Sequence, residues 1–109
     1  MKFEVVLAPQ AVEDYHTFAR AMQATLKTAI ATHLVHQPGR VSKSRIKRLR
    51  GLRQPQFRLR VGDARVFYDI NQEQRRVEVL RMLPKNRVAA YLQAEAFPDE
   101  NDAADESEG

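Results

Sequence analysis

The sequence predicts an α+β domain of order β-α-α-β-β-β-α, with an N-terminal helical hairpin packed on a twisted, mostly antiparallel sheet. Three observations carry this expectation. Apolar residues recur at helical spacing between Ala11 and Leu34. From Phe57 onward the period changes to two, apolar alternating with charged. The 109 residues are one domain's worth and hold no internal repeat, so helices and strands must share one core.

Taken in order, residues 2–7 (Lys-Phe-Glu-Val-Val-Leu) suit a first strand. Pro9 fits the first turn of a helix, where its missing N–H costs nothing. Ala11, Tyr15, Phe18 and Met22 make one helical stripe; Leu26, Ile30 and Leu34 make a second, with Thr25 as its expected N-cap. Pro38-Gly39 stops the second helix. Residues 40–56 read as a long basic connection pinned by Ile46, Leu49 and Leu52, with Gly51 and Pro55 as breakers. Phe57, Leu59 and Val61 then share one strand face and Arg58 and Arg60 the other. Gly62-Asp63 is a hairpin turn with glycine first, and the return strand sets Val66, Tyr68 and Ile70 against Arg65, Phe67 and Asp69. Asn71–Gln74 turns the chain again. Val77–Leu83 is nearly all apolar, as a central strand would be, and Pro84 ends it before a helix over residues 86–93 that carries Tyr91.

Charge is segregated along the chain. Residues 40–60 hold nine basic side chains and no acid, whereas residues 94–109 hold seven acids and no base. Without that terminal stretch, 18 basic residues face seven acidic ones, a body of +11 against +4 for the whole chain. Such a body attracts polyanions, and a basic run that continues into a strand points to nucleic acid. The stretch 94–109, poor in apolar residues, reads as a disordered acidic tail beside a folded domain of residues 1–93. It serves as a solubilising terminus or as a shield for the basic face. The chain has no cysteine, which excludes a disulfide framework, a thiolate zinc site and a thiol nucleophile. No apolar run approaches the roughly 18 residues of a membrane span and no signal peptide opens the chain, so a cytoplasmic domain is expected. His16, His33 and His36 all fall in the helical segment, with no metal-ligand spacing around them.

The middle of the chain carries a resemblance. Arg48-Leu49-Arg50-Gly51-Leu52, then Phe57-Arg58-Leu59-Arg60-Val61-Gly62-Asp63, then Arg65-Val66-Phe67-Tyr68, resembles toxins of the RelE/ParE superfamily of bacterial toxin–antitoxin systems. The closing motif of that family, a basic segment and a helix with tyrosine, is echoed by Pro84-Lys85-Asn86-Arg87 and Tyr91. The likeness spans residues 2–93 in element order. It departs at Ala64, where the family usually has an aromatic residue, and at Pro84-Lys85, where it has Gly-Lys or Gly-His. The resemblance implies a ribosome-dependent messenger-RNA endonuclease, neutralised by a small antitoxin in a hetero-oligomer and needing neither metal nor cofactor. Another branch of the same fold poisons DNA gyrase, and a degenerate member would serve as a non-catalytic corepressor bound to its antitoxin.

Metal-free RNA cleavage uses the neighbouring 2′-hydroxyl as nucleophile. The protein then has to align that hydroxyl, stabilise charge on the phosphate oxygens and move two protons. Arg58 and Arg60 on one strand face, with Arg65 on the adjoining strand, suit a single phosphate, since cross-strand neighbours lie about 5 Å apart. By resemblance, Arg65 is the charge-stabilising strand arginine, and Lys85, Arg87 and Tyr91 match the closing basic and tyrosine positions. Arginine is a poor general base, which makes Lys85 the acid–base candidate. The purely structural alternatives are a solvated sheet surface for Arg58 and Arg60, an ion pair of Arg65 with Asp63 or Asp69, and a core position for Tyr91. Phe67 either joins the binding face or packs under a helix. Lys43, Arg45, Lys47, Arg48 and Arg50 in the long loop are the expected grip on ribosomal RNA.

Overall fold

The computed structural model describes residues 2–99. Its main sheet runs β1 (Glu4–Leu7), β6 (Arg76–Pro84), β5 (Ala64–Asn71), β4 (Phe57–Val61), β2 (Ile46–Arg48) in spatial order. Among the described residues only β1 pairs in parallel, with β6; the other pairings are antiparallel. The near-continuous apolar run 77–83 therefore does lie inside the sheet. Helices α1 (Pro9–Thr17) and α2 (Arg20–Leu34) cover one face. There Leu26 and Leu34 of α2 meet Leu59, Val61, Val66, Tyr68, Val77, Val79 and Met82, all nearly or fully buried. The Tyr68 hydroxyl donates to the Pro38 carbonyl at 2.6 Å, which ties the end of the helical segment to the central strands. Burial pushes that phenol well above its ordinary value.

On the opposite face a smaller cluster forms from Phe67, Leu83 and Tyr91, flanked by Leu49, Val88 and Leu92. It is covered by α3 (Val88–Glu95), which follows a short 3-10 turn at Lys85–Arg87. The helix thus starts two residues later than its sequence suggests, and Lys85 and Arg87 precede it rather than form its first turn. Phe67 packs under this helix, its ring centroid 5.0 Å from that of Tyr91.

Three further expectations need correction. The stripe Ala11-Tyr15-Phe18-Met22 does not lie on one helix: the backbone is extended at Phe18 (φ −82°, ψ 151°) and Ala19 (φ −61°, ψ 154°), and α2 begins at Arg20. Neither glycine nor proline marks this break. Its polar groups are satisfied locally, the Phe18 N–H by the Tyr15 carbonyl and the Phe18 carbonyl by the Gln23 side chain at 2.9 Å. Thr25 is consequently mid-helix, its hydroxyl donating to Ala21 O rather than capping. Finally, the basic connection is not irregular throughout. Ile46–Arg48 adds an edge strand to β4, and β3 (Leu52–Gln54) pairs with β7 (Phe97–Pro98) in a second, two-stranded sheet.

That small sheet changes the picture of the C-terminal segment. Helix α3 runs to Glu95, and the Asp99 N–H donates to Gly51 O at 2.9 Å, so residues 94–99 are built onto the fold. The remainder of the expected tail, 100–109, lies outside the described residues.

Candidate functional site

The candidate site grows from the alternation of β4 and β5. Because Phe57, Leu59 and Val61 are drawn into the core, Arg58 and Arg60 must project from the other face. Arg60 stands directly opposite Arg65 across the strand pair, and Arg58 opposite Phe67. Lys47 of β2 is paired with Arg58, which extends the same face by one more cation. Like charges directly opposite on a sheet are destabilising by up to about 1 kcal/mol. A row of cations here is therefore a cost that folding alone would not select.

Nothing in the described fold neutralises the three arginines. Among the described residues none of Arg58, Arg60 and Arg65 has a carboxylate within ion-pairing distance. The Arg58 Nε is buried with no hydrogen-bond partner. Burial first, then the charges of Arg65 and Arg60, hold the Arg58 guanidinium below its ordinary value. A buried, unsatisfied cationic donor beside two like charges is a site waiting for an anion with several acceptor oxygens.

The Gly62-Asp63 turn aims two of the cations. Gly62 takes φ +55°, a conformation glycine adopts without strain. The turn carbonyls are then free to orient Arg65, whose Nη1 donates to Gly62 O and Ala64 O, both at 2.9 Å. Arg65 thus pairs with carbonyls and not with Asp63 or Asp69. The Asp63 backbone carbonyl accepts the Lys85 N–H at 2.7 Å, and the Asp63 carboxylate lies 3.5 Å from Lys85 Nζ, a solvent-exposed contact worth little energy. So Arg65 and Lys85 are both anchored to one two-residue turn. Asp69 is occupied elsewhere, accepting from the Gln54 side chain and the Gln56 backbone.

The remaining sequence candidates separate. Arg87 is exposed on the 3-10 turn. Tyr91 is 8% exposed, with its ring against Phe67 and the Arg81 guanidinium. Burial above all raises its phenol to about 12. So enclosed a ring has no free face for a base, and the core alternative describes it better than a stacking role. Arg48 is an internal brace: its Nη1 donates to Leu49 O and Gln56 O, and its guanidinium covers the Phe57 ring. Arg45 turns toward α2, where it joins His33 and Arg40 around a polar hollow of about 360 Å³. Burial and the Arg45 charge lower the His33 imidazole. Lys43 and Arg50 are exposed in the loops on either side of β2. The five loop cations therefore do not form one surface.

Sequence reasoning missed Asp14. This carboxylate is buried on α1, accepting from Arg81 Nε at 2.7 Å and from the Met82 backbone N–H at 3.0 Å. Strand β1 stops at Leu7, and Asp14 takes over the exposed edge of β6 beyond it. Arg81 also reaches Glu95 at 3.1 Å, so one guanidinium ties α1, β6 and α3 together. The signal was present, since Asp14 falls three residues after Ala11 on the stripe destined for burial.

Among the described residues, no three His, Asp or Glu side chains stand close enough to share a metal ion. No helix there is long and apolar enough to cross a membrane.

No protein-family model matches this sequence, and no curated protein does. Solved structures do. The chain is similar to the RelBE2 toxin–antitoxin complex of Mycobacterium tuberculosis, with 28% identity, a TM-score of 0.63, and 77% of this chain and 99% of that one covered. It is likewise similar to a chain of the archaeal RelE–RelB complex from Pyrococcus horikoshii, with 24% identity, a TM-score of 0.66, and coverage of 80% and 99%. A variant of the E. coli toxin RelE in the free state shares the fold at 20% identity and a TM-score of 0.65, over 88% of this chain and 95% of that one. Nearly the whole of each of these chains is thus matched by one stretch of this chain, which shares the fold of the RelE toxins.

Proposed function

We propose that this toxin cleaves messenger RNA on the ribosome, with the scissile phosphate held on Arg58, Arg60 and Arg65. The observation that supports the reading best is the unneutralised arginine row, with the buried, partnerless Nε of Arg58 at its centre. A solvated decorative face would leave its guanidinium exposed to water; this one is partly withdrawn from it.

In this reading the 2′-hydroxyl gives its proton to water as its oxygen attacks the adjacent phosphorus, and the bond to the 5′-oxygen breaks, leaving a 2′,3′-cyclic phosphate and, once that oxygen is protonated, a 5′-hydroxyl. The substrate provides the nucleophile, so the protein provides alignment and charge. Two guanidiniums facing each other across β4 and β5 suit the extra negative charge on the non-bridging oxygens, and Arg58 completes the cradle. Lys85 beside the turn supplies the mobile proton for the leaving oxygen. Lys43 and Arg50, exposed on flanking loops, together with Lys47 on the edge strand, provide phosphate contacts to ribosomal RNA.

The partner in this reading is a small antitoxin. An open apolar groove of about 330 Å³ lies between β1 and α2, lined by Val5, Leu7, Tyr15, Ile30 and Val35. Leu7 and its neighbour Val6 are more than a third exposed at the sheet edge, which suits an added strand or an amphipathic helix.

The test maps messenger-RNA ends by primer extension in a purified translation reaction, with and without ribosomes. The wild-type chain should cut within codons only when ribosomes are present. Arg65→Ala should lower cleavage by roughly 100-fold or more, as loss of one charge-stabilising donor does. Intact message together with cleaved supercoiled DNA in a parallel gyrase assay would place the chain on the gyrase-poisoning branch instead. Intact message and intact DNA would leave the antitoxin-bound corepressor.

A further inference from the structure

Residues 100–109 follow the last described residue, and five of these ten are acidic (Glu100, Asp102, Asp105, Glu106 and Glu108), with no base among them. Where the fold hands over to them is well defined. β7 pairs with β3, Asp99 hydrogen-bonds Gly51, and the Arg53 guanidinium sits 5.9 Å from the Phe97 ring centroid. The acidic run therefore starts in the middle of the most basic part of the chain, between Arg50 and Arg53.

The path from there to the arginine face is short. Gly51 is two residues from Leu49, the Leu49 N–H donates to Gln56 O at 2.8 Å, and Gln56 is two residues from Arg58. Counted from Asp99 at strand rise and spacing, that route is about 23 Å. Ten extended residues span roughly 33 Å. The acidic run thus reaches Arg58 and, two residues further along β4, Arg60, whose cross-strand neighbour is Arg65.

We propose that the acidic segment 100–109 docks in cis on the strand face formed by Lys47, Arg58, Arg60 and Arg65, where its carboxylates take the places of RNA phosphates. Charge complementarity and tethering both favour it. The face lacks carboxylate partners among the described residues, and attachment at Asp99 keeps the acids at millimolar effective concentration beside it. Each contact is individually weak and screened by salt, so the segment yields to a long polyanion on the ribosome while suppressing casual RNA binding. The proposal builds on the reading of this face as RNA-binding, and its first test is independent of RNA.

The chain has no cysteine, so Ala104→Cys accepts a single nitroxide label outside the described fold. With docking, amide signals at residues 58–60 and 64–66 broaden at low salt and recover at high salt. Broadening confined to residues 48–54, near the exit point, or none at all, overturns the proposal. The second test measures a fluorescent single-stranded RNA oligonucleotide by anisotropy. A chain ending at Asp99 should bind about five- to tenfold tighter than the full chain at 50 mM salt, with the gap closing at higher salt. Removal of bulk negative charge would also tighten binding, so the comparison is repeated in an Arg58→Gln, Arg60→Gln background. There the gain should fall below twofold; an undiminished gain overturns docking at this face. If neither chain binds RNA, the RNA reading fails, and the spin-label map still decides the docking.

Discussion

A single residue states the molecule's central compromise. Arg60 sits opposite Arg65 with no acid between them, an arrangement that costs folding energy and that an anion would repay. Arg60→Gln should therefore raise the melting temperature by a few degrees while weakening RNA binding and reducing the slope of log affinity against log salt by about one. Calorimetry and a salt titration on the same variant check both halves. A simultaneous loss of stability and binding would make Arg60 a structural residue. Tyr91 shows the contrary case, a polar residue kept by packing. Tyr91→Phe should leave cleavage within about twofold, whereas Tyr91→Ala should cost about 3 kcal/mol in urea unfolding, because it empties the cluster beneath α3.

Among the elements, α1 is held by a carboxylate as well as by its apolar side. Its buried residues are Ala11 and Asp14, and Asp14 closes the part of β6 that β1 is too short to cover. Asp14→Ala would leave Arg81 half-paired and the Met82 N–H without its acceptor. A loss of about 3–5 kcal/mol is expected in denaturant unfolding, because one partner of a buried charge pair has been removed. Glu95→Gln touches the exposed arm of the same network and should cost well under 1 kcal/mol. A second element-scale feature is the irregularity between β5 and β6, where Phe67 pairs with Arg81 but Tyr68 with Val79. The extra residue, Leu80, lets Val79 and Met82 both reach the main core while Leu83 meets Phe67 on the far side.

For the whole molecule, two cores on opposite faces of one sheet divide the labour. The larger fixes the helices; the smaller supports the strand face that carries the arginines. Its pH response follows from Tyr91. An unfolded tyrosine ionises near pH 10, whereas the buried one is raised to about 12. The folded state therefore holds its proton longer, so this contribution to stability is intact below about pH 10 and is lost as pH climbs from 10 toward 12. Tyr68, pushed in the same direction by burial, adds to the loss. Unfolding free energies measured between pH 9 and 12 should fall across that interval, and Tyr91→Phe should make the fall shallower. A flat profile for the wild type would contradict the burial of both rings.

Strand identity and facing were legible in the sequence because a period of two reports local geometry: Leu59 and Val61 against Arg58 and Arg60 need no knowledge of the rest of the chain. The same holds for the Gly62-Asp63 turn and for the segregation of charge, and from these the arginine row follows. The break at Phe18 was not legible, since no glycine or proline encodes it and the stripe continues across it. What holds it open is a pair of local bonds, from the Phe18 N–H to the Tyr15 carbonyl and from the Gln23 side chain to the Phe18 carbonyl. The role of Asp14 escaped because its partners Arg81 and Met82 are 67 and 68 residues away in sequence. Likewise, Tyr91 leaves the candidate chemistry only once α3 is seen folded onto Phe67. Local spacing dictates which way a side chain points; only tertiary packing decides what it meets there.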